Sequence, residues 1–219
     1  AELYGRAGAV QCLGREGRHG SVSVIGAVSP PAGDLSEPLT QHSLRLAHTF
    51  WALSTQLAHQ RHYPAIDPER SWSLLRADTW WRTHVDAAWP ELRRFVAEAL
   101  AEEMRLSEIV QLVGQDALSP VQRAYLLTGR MLRQVVLRQS ARDPVDARCS
   151  AARQVAILRA AAAAGQALRR AAERGTPPEE VTRAPAWEAL CALKARSEAE
   201  VDAAAKGIIH AFAAVDGPP

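Results

Sequence analysis

Lysine is nearly absent. Among 219 residues only Lys194 and Lys206 carry an ammonium group, and every other strong base is arginine. The widespread phosphate-cradling loop GxxxxGK[ST] wraps backbone amides around phosphates and sends a lysine to the terminal ones. Lys194 stands in LCALKARS and Lys206 in DAAAKGII, helical surroundings without the glycine loop. By itself the chain is therefore expected neither to hold a triphosphate in this way nor to supply a catalytic residue. Long apolar runs are missing as well, and none approaches the ~20 residues that span a bilayer. Residue 1 is Ala and the opening AELYGRAG is polar, so no leader peptide is expected. Cysteine is scarce: Cys12, Cys149 and Cys191 are widely spaced, odd in number and form no CxxC pair. That pattern argues against a disulfide framework and a zinc site, and predicts buried, reduced thiols of a cytosolic protein. A formal net charge of only +2 speaks against a nucleic-acid partner, which usually meets a concentrated basic face.

What is present reads as a globular chain rich in alanine, the best helix former. Ala1 to Ala7 reads as a helix tail, Val10 to Leu13 as a short strand, and Gly14 to Gly20 as a turn. Ser21 to Val28 is β-branched and apolar enough for a central strand. Prolines make Ser29 to Pro38 a loop. Thr40 to about Arg61 is expected to be one helix, with Leu46, Phe50, Leu53 and Leu57 as its buried stripe. Two prolines break the pattern at Tyr63 to Pro68, where a domain boundary is expected, and no good strand follows. Helices are predicted over Glu91 to Val113, from Pro120 behind a Ser119–Gln122 capping box, and from Ser150 to about Arg174. The inner face from Pro120 onward is Val121, Tyr125, Thr128, Leu132 and Val135. A second capping box, Thr176 to Glu179, opens a short helix. A last helix runs from Ala186 to Val215, with Val201, Ala205, Ile208 and Phe212 inward, and Asp216 to Pro219 frays. The fold class is thus α/β plus all-α.

Several motifs in order carry a resemblance. They are the strand and acidic loop GSVSVIGAVSPPAGDLSEP (Gly20 to Pro38), Tyr63-Pro64-Ala65-Ile66, Trp80-Trp81 and EIVQLVGQDAL (Glu108 to Leu118). Together they resemble the catalytic A subunit of the V-type and archaeal-type rotary ATPases. The likeness weakens toward Ala195. It implies that residues 1–66 end a RecA-like nucleotide-binding domain and that 67–219 form a helical C-terminal domain. It also implies an enzyme complex in which A subunits alternate with B subunits in a ring around central-stalk subunits. ATP hydrolysis or synthesis would then be coupled to proton or sodium movement. The complex would touch the membrane only indirectly, through its ion-translocating sector, as a cytoplasmic, peripheral head. The ATP/ADP phosphates and Mg would be held by residues upstream of this stretch. The lack of an initiator Met agrees with a C-terminal piece. Ser71-Trp72-Ser73-Leu74 distinguishes the two kinds of ring member: the B subunit would have an arginine finger where Leu74 stands.

The resemblance also assigns site residues. Tyr63, with Pro64 and Ala65, would form the wall on which adenine stacks. A tyrosine packing a helix end reads equally well locally. The opposite wall corresponds to Gln139–Ser150 (QSARDPVDARCS), where the family has QNAFHEVDTYCS. Arg142 and Arg148 thus replace aromatics, and arginine can stack on a ring but is more mobile. Gln139 keeps the family residue. A non-catalytic interaction module, made from a truncated or decayed paralogue, is the alternative this substitution favours. Asp34, Ser36 and Glu37 would contact the central stalk by charge-assisted bonds, or Ser36 or Thr40 would simply cap the next helix. Gln111–Leu118 would be the lever against the shaft, although Gly114 as an ordinary C-cap explains it too. His59 and His62 are three apart with no third partner, so no metal site is expected.

Overall fold

The computed structural model describes residues 2–14 and 17–214. Ala1, Arg15, Glu16, Val215 and the expected fraying tail Asp216–Pro219 lie outside the described residues. The chain divides into two compact units, Ala1–Ala52 with Asp67–Leu75, and Leu53–Ile66 with Arg76–Pro219.

The first unit holds the strands, but not as the sequence predicts. A single-turn helix covers Tyr4–Arg6. Strands β1 (Gly8–Gln11) and β2 (His19–Val22) pair antiparallel, Gly8 opposite Val22. The expected central strand Ser21–Val28 stops at Val22, and Ile25 is 87% exposed. The β-branched residues favour extended backbone, yet among the described residues only β1 offers β2 a ladder to join. Helix α1 (Pro38–Leu46) follows, then β3 (Thr49–Phe50) pairs with β4 (Trp72–Ser73), Thr49 opposite Ser73. The expected helix Thr40–Arg61 is therefore broken. The β-branched Thr49 and aromatic Phe50 enter a ladder whose rings Phe50 and Trp72 lie 6.2 Å apart. β4 itself is a strand where none was expected.

The second unit is helical. Helix α2 (Thr55–His59) begins behind Ser54, whose hydroxyl accepts from Leu57 N–H. Of the expected stripe only Leu57 is buried, and Leu53 is exposed. Helices α3 (Asp78–His84), α4 (Trp89–Val113), α5 (Pro120–Leu132) and α6 (Ala151–Glu173) build the body. The Ser119–Gln122 capping box forms as expected, and Gly114 closes α4 at φ 86°. Val121 lies exposed at the edge of the α5 face, whereas Thr128 and Leu132 are buried. A π-helical turn, Arg133–Leu137, extends α5. α6 sits in the middle of the core. Its Ala160, Ala161, Ala164 and Leu168 are fully shielded, together with Leu132 of α5 and Phe212. Alanines on several faces let neighbouring helices approach from more than one side.

Two expectations about the C-terminal third change. Thr176 caps no helix. Its N–H bonds to Ala171 C=O and Gly175 N–H to Ala172 C=O, with Gly175 at φ 81°. This is the αL stop of α6, so Thr176 is already engaged when α7 (Pro178–Val181) begins. The long helix Ala186–Val215 is instead α8 (Pro185–Ala192), a 3₁₀ turn at Leu193–Ala195, and α9 (Glu198–Ala214). Ser197 and Glu200 mark the restart: the Glu200 carboxylate accepts from Ser197 N–H at 3.1 Å and Ser197 Oγ at 2.7 Å. Val201, Ala205, Ile208 and Phe212 are buried as the spacing predicts. The thiols are free, but Cys12, Cys149 and Cys191 are all exposed, contrary to expectation.

Candidate nucleotide-base site

Tyr63 leads the chain out of a tight reversal. His62 N–H bonds to Leu57 C=O at 2.9 Å, and Arg61 takes φ 55°. The Tyr63–Pro64 bond is cis. Past it, Ser54 N–H bonds to Ala65 C=O at 2.9 Å, and Leu53 and Ile66 form an antiparallel bridge. These contacts hold both ends of the Tyr63-Pro64-Ala65 segment while leaving the Tyr63 side chain 52% exposed.

The second segment, far away in sequence, comes directly to the first. Gln139 N–H donates to Tyr63 C=O at 2.6 Å. The loop after it is closed by its own side chains. Asp143 Oδ1 accepts from Val145 N–H at 2.8 Å and Asp146 N–H at 3.3 Å, and Asp143 C=O accepts from Ala147 N–H. Asp146 then closes the ring. Its Oδ2 accepts from Ser140 N–H at 2.6 Å, and its C=O accepts the Gln139 side-chain amide at 2.7 Å. Asp146 Oδ1 also lies 3.3 Å from Lys194 Nζ, with both side chains mostly buried. The structure thus brings Tyr63 and Gln139 together. Arg142 and Arg148 sit exposed on the same loop, and among the described residues neither has a hydrogen-bond or ion-pair partner.

The surroundings are cationic. Desolvation and then the charges of Arg133, Arg138 and Lys194 push the His62 imidazole below its ordinary value, so it favours the neutral form. Partial desolvation pushes the Cys149 thiol above its ordinary value beside the same loop, although the residue still reaches solvent. The arrangement offers a flat, accessible ring, a fixed amide and flexible guanidinium groups. That combination suits a planar, electron-rich ligand better than bond-making chemistry. Among the described residues no His, Cys, Asp or Glu trio is placed to hold a metal. No helix among them is long and apolar enough to cross a membrane.

The acidic loop belongs to the other unit. After a 3₁₀ turn at Pro31–Gly33, Asp34 Oδ1 accepts from Ser36 N–H at 2.9 Å and from Ser36 Oγ at 2.7 Å. Glu37 caps α1, accepting from Thr40 N–H at 2.8 Å and Thr40 Oγ1 at 2.9 Å. The cap is therefore Glu37, not Ser36 or Thr40. These bonds hold both carboxyls below their usual range, Asp34 through Ser36 and Glu37 mainly through Thr40. Sequence reasoning missed Asp146 and Lys194. An Asp four residues after Arg142 carries no local signal for a partner 48 positions later.

Residues 1–73 match the ATP synthase alpha/beta family nucleotide-binding domain, and residues 78–177 match the C-terminal domain of V and A type ATP synthase. The chain is 44% identical over 206 residues to the A subunit of the A-type ATP synthase of Thermococcus onnurineus (strain NA1), covering 93% of this chain and 35% of the relative. It is 44% identical over 202 residues to that of Desulfurococcus sp. (strain SY), covering 91% and 34%. For Pyrococcus abyssi (strain GE5 / Orsay) the figures are 45% over 196 residues, 89% and 19%. The chain spans about a third of the length of the first two. With both family matches following one another along most of its length, the chain belongs to the ATP synthase alpha/beta family, in its V and A type branch.

Proposed function

We propose that this chain is part of the catalytic A subunit of a V/A-type rotary ATPase, which couples ATP hydrolysis or synthesis to proton or sodium translocation. Residues 1–66 would end the RecA-like nucleotide domain and 67–219 would form the helical domain. The chain contributes the base side of a nucleotide site, with Tyr63, Pro64 and Ala65 on one wall and Gln139, Arg142 and Arg148 on the other. The observation that carries this is the 2.6 Å bond from Gln139 N–H to Tyr63 C=O, which joins two segments that the resemblance assigns to one pocket. The phosphates and Mg of ATP or ADP fall to residues outside this stretch, which has no GxxxxGK[ST] loop. Alone it should not hydrolyse ATP.

Partners would be B subunits in an alternating ring and central-stalk subunits, within a peripheral cytoplasmic head. Asp34 is the better stalk contact in the acidic loop, because it is exposed whereas Glu37 is half-buried and caps α1. The last turn of α4 exposes Leu112 and Val113 to 85% and 63%. Apolar residues projected at a helix end support a lever role there.

The test joins this chain to the preceding segment of the Thermococcus onnurineus relative and measures ATP binding. Wild-type hybrid should bind, and Tyr63→Ala should weaken binding by about tenfold, roughly 1.4 kcal/mol. Equal affinity in the two would remove Tyr63 from the site. No binding by the wild-type hybrid would favour the second reading, an interaction module, for which the exposed and unpartnered Arg142 and Arg148 speak.

A further inference from the structure

We propose that Lys194 is a positioning residue: its ion pair with Asp146 holds the Gln139–Asp146 loop against Tyr63 and thereby sets how tightly a base is held there. The positioning stands on contacts within the chain. Its consequence for affinity rests on the base-site reading above.

Asp146 is the hub. Its Oδ2 takes the Ser140 N–H, its C=O takes the Gln139 amide, and its Oδ1 faces Lys194 Nζ at 3.3 Å. The two side chains are only 18% and 16% exposed, so salt screens this pair less than a surface pair. Lys194 is itself fixed from behind. Arg153, at the start of α6 and 2% exposed, donates to Lys194 C=O and to Arg196 C=O, each at 2.6 Å. The loop's internal shape does not need Lys194, since Asp143 and Asp146 close it with their own bonds. What Lys194 adds is a tie from a preformed loop to the α8–α9 junction, and through Arg153 to α6. At the far side the loop meets Tyr63 through the Gln139 N–H bond. Breaking the ion pair should therefore free the loop to move as a body, leaving the helical core intact. It also gives the junction of α8 and α9 a direct mechanical route to the base wall, independent of any phosphate contact.

The experiment uses the full 219-residue chain for amide exchange and the hybrid for ATP affinity. Lys194→Gln should speed exchange of the Gln139 and Ser140 amides by about tenfold relative to wild type, as a lost charge-assisted tie implies. The thermal midpoint should change little. Lys194→Arg, which keeps the charge and can still reach a carboxylate, should restore slow exchange, whereas Asp146→Asn should mimic Lys194→Gln. In the hybrid, ATP affinity should weaken with the same variants and recover with arginine. Unchanged exchange in Lys194→Gln overturns the proposal. So does faster exchange that Arg fails to rescue, or faster exchange with ATP affinity unaltered in a hybrid that binds ATP. A wild-type hybrid that binds no ATP while exchange follows the predicted pattern supports Lys194 as the positioning residue and overturns the base-site reading alone.

Discussion

Single residues carry more of this structure than their spacing suggests, and Asp86 shows why. It lies in the turn between α3 and α4. It receives Arg159 of α6 at 2.6 Å and 3.0 Å, and its Oδ1 accepts from Ala88 N–H at 2.8 Å. Ala88, the residue before α4, carries only a methyl group and no side chain caps the helix; Asp86 instead satisfies the Ala88 N–H just outside its first turn. Asp86→Ala should cost about 1–3 kcal/mol in urea unfolding, the range for a charge-assisted hydrogen bond left unmade. The Arg159 hydrogen bond holds the Asp86 carboxyl below its ordinary 3.8. Its stabilisation is therefore present above that value and lost as pH falls through the lower folded one. His62 responds in a different window. Its folded value is also depressed, by desolvation first and then by Arg133, Arg138 and Lys194. Stability is full above the ordinary 6.5 and declines as pH falls through the folded value, because the folded chain resists the imidazolium. Thermal unfolding followed from about pH 7.5 down to about pH 5 should show a decline that His62→Gln flattens. An unchanged slope in that variant would assign the decline to other groups. Local pairs such as Ser119 with Gln122 were legible because both partners lie within one turn. Asp86 with Arg159 and Asp146 with Lys194 were not, since nothing within a few residues of either end signals the other.

At the scale of elements, legibility followed how completely each element is covered. The helices α4 and α6 begin and end close to where capping and periodicity place them, and α5 begins there, because each lays a continuous apolar face on its neighbours. The stretch 40–61 has an equally good helical period at Leu46, Phe50, Leu53 and Leu57, but three of these four are not buried. Without a core to receive the stripe, short-range pairing of Thr49 and Phe50 decides instead. The stop between α8 and α9 was written in Ser197 and Glu200, a capping signal hidden inside an alanine-rich run. α4 and α5 approach closely at Gly129, where an added Cβ would overlap Cβ and Cγ of Glu103 and lie 3.2 Å from Ala99 C=O. Glu103 cannot easily yield, since it is 7% exposed and bonded to Arg133 at 2.9 Å. Gly129→Ala should therefore destabilise by about 1–3 kcal/mol through overpacking, despite alanine's better helix propensity. A variant as stable as wild type in urea would mean that α4 and α5 can separate at no cost.

For the whole molecule, the two units differ in how much core they own. The helical unit contains nearly all the deeply buried apolar residues, from Leu92 to Phe212. The other unit leaves Val10, Val22 and Ile25 at 62%, 57% and 87% exposure, and among the described residues its β1–β2 pair has unpaired outer edges. Amide exchange of the isolated chain should be fast over residues 8–14 and 17–28 and slow over α6. Strong protection of β1 and β2 would show that the hairpin is stable without further strands. The family resemblance was legible because its motifs are spread in order along the chain, whereas the loop that meets Tyr63 became visible only through long-range bonds. The proposed base-binding surface joins residues 63–65 to residues 139–148. Amide exchange of the Thermococcus onnurineus hybrid with and without saturating ATP reads both segments at once. Slowed exchange in both segments together is the result predicted here. ATP binding with neither segment protected would contradict it.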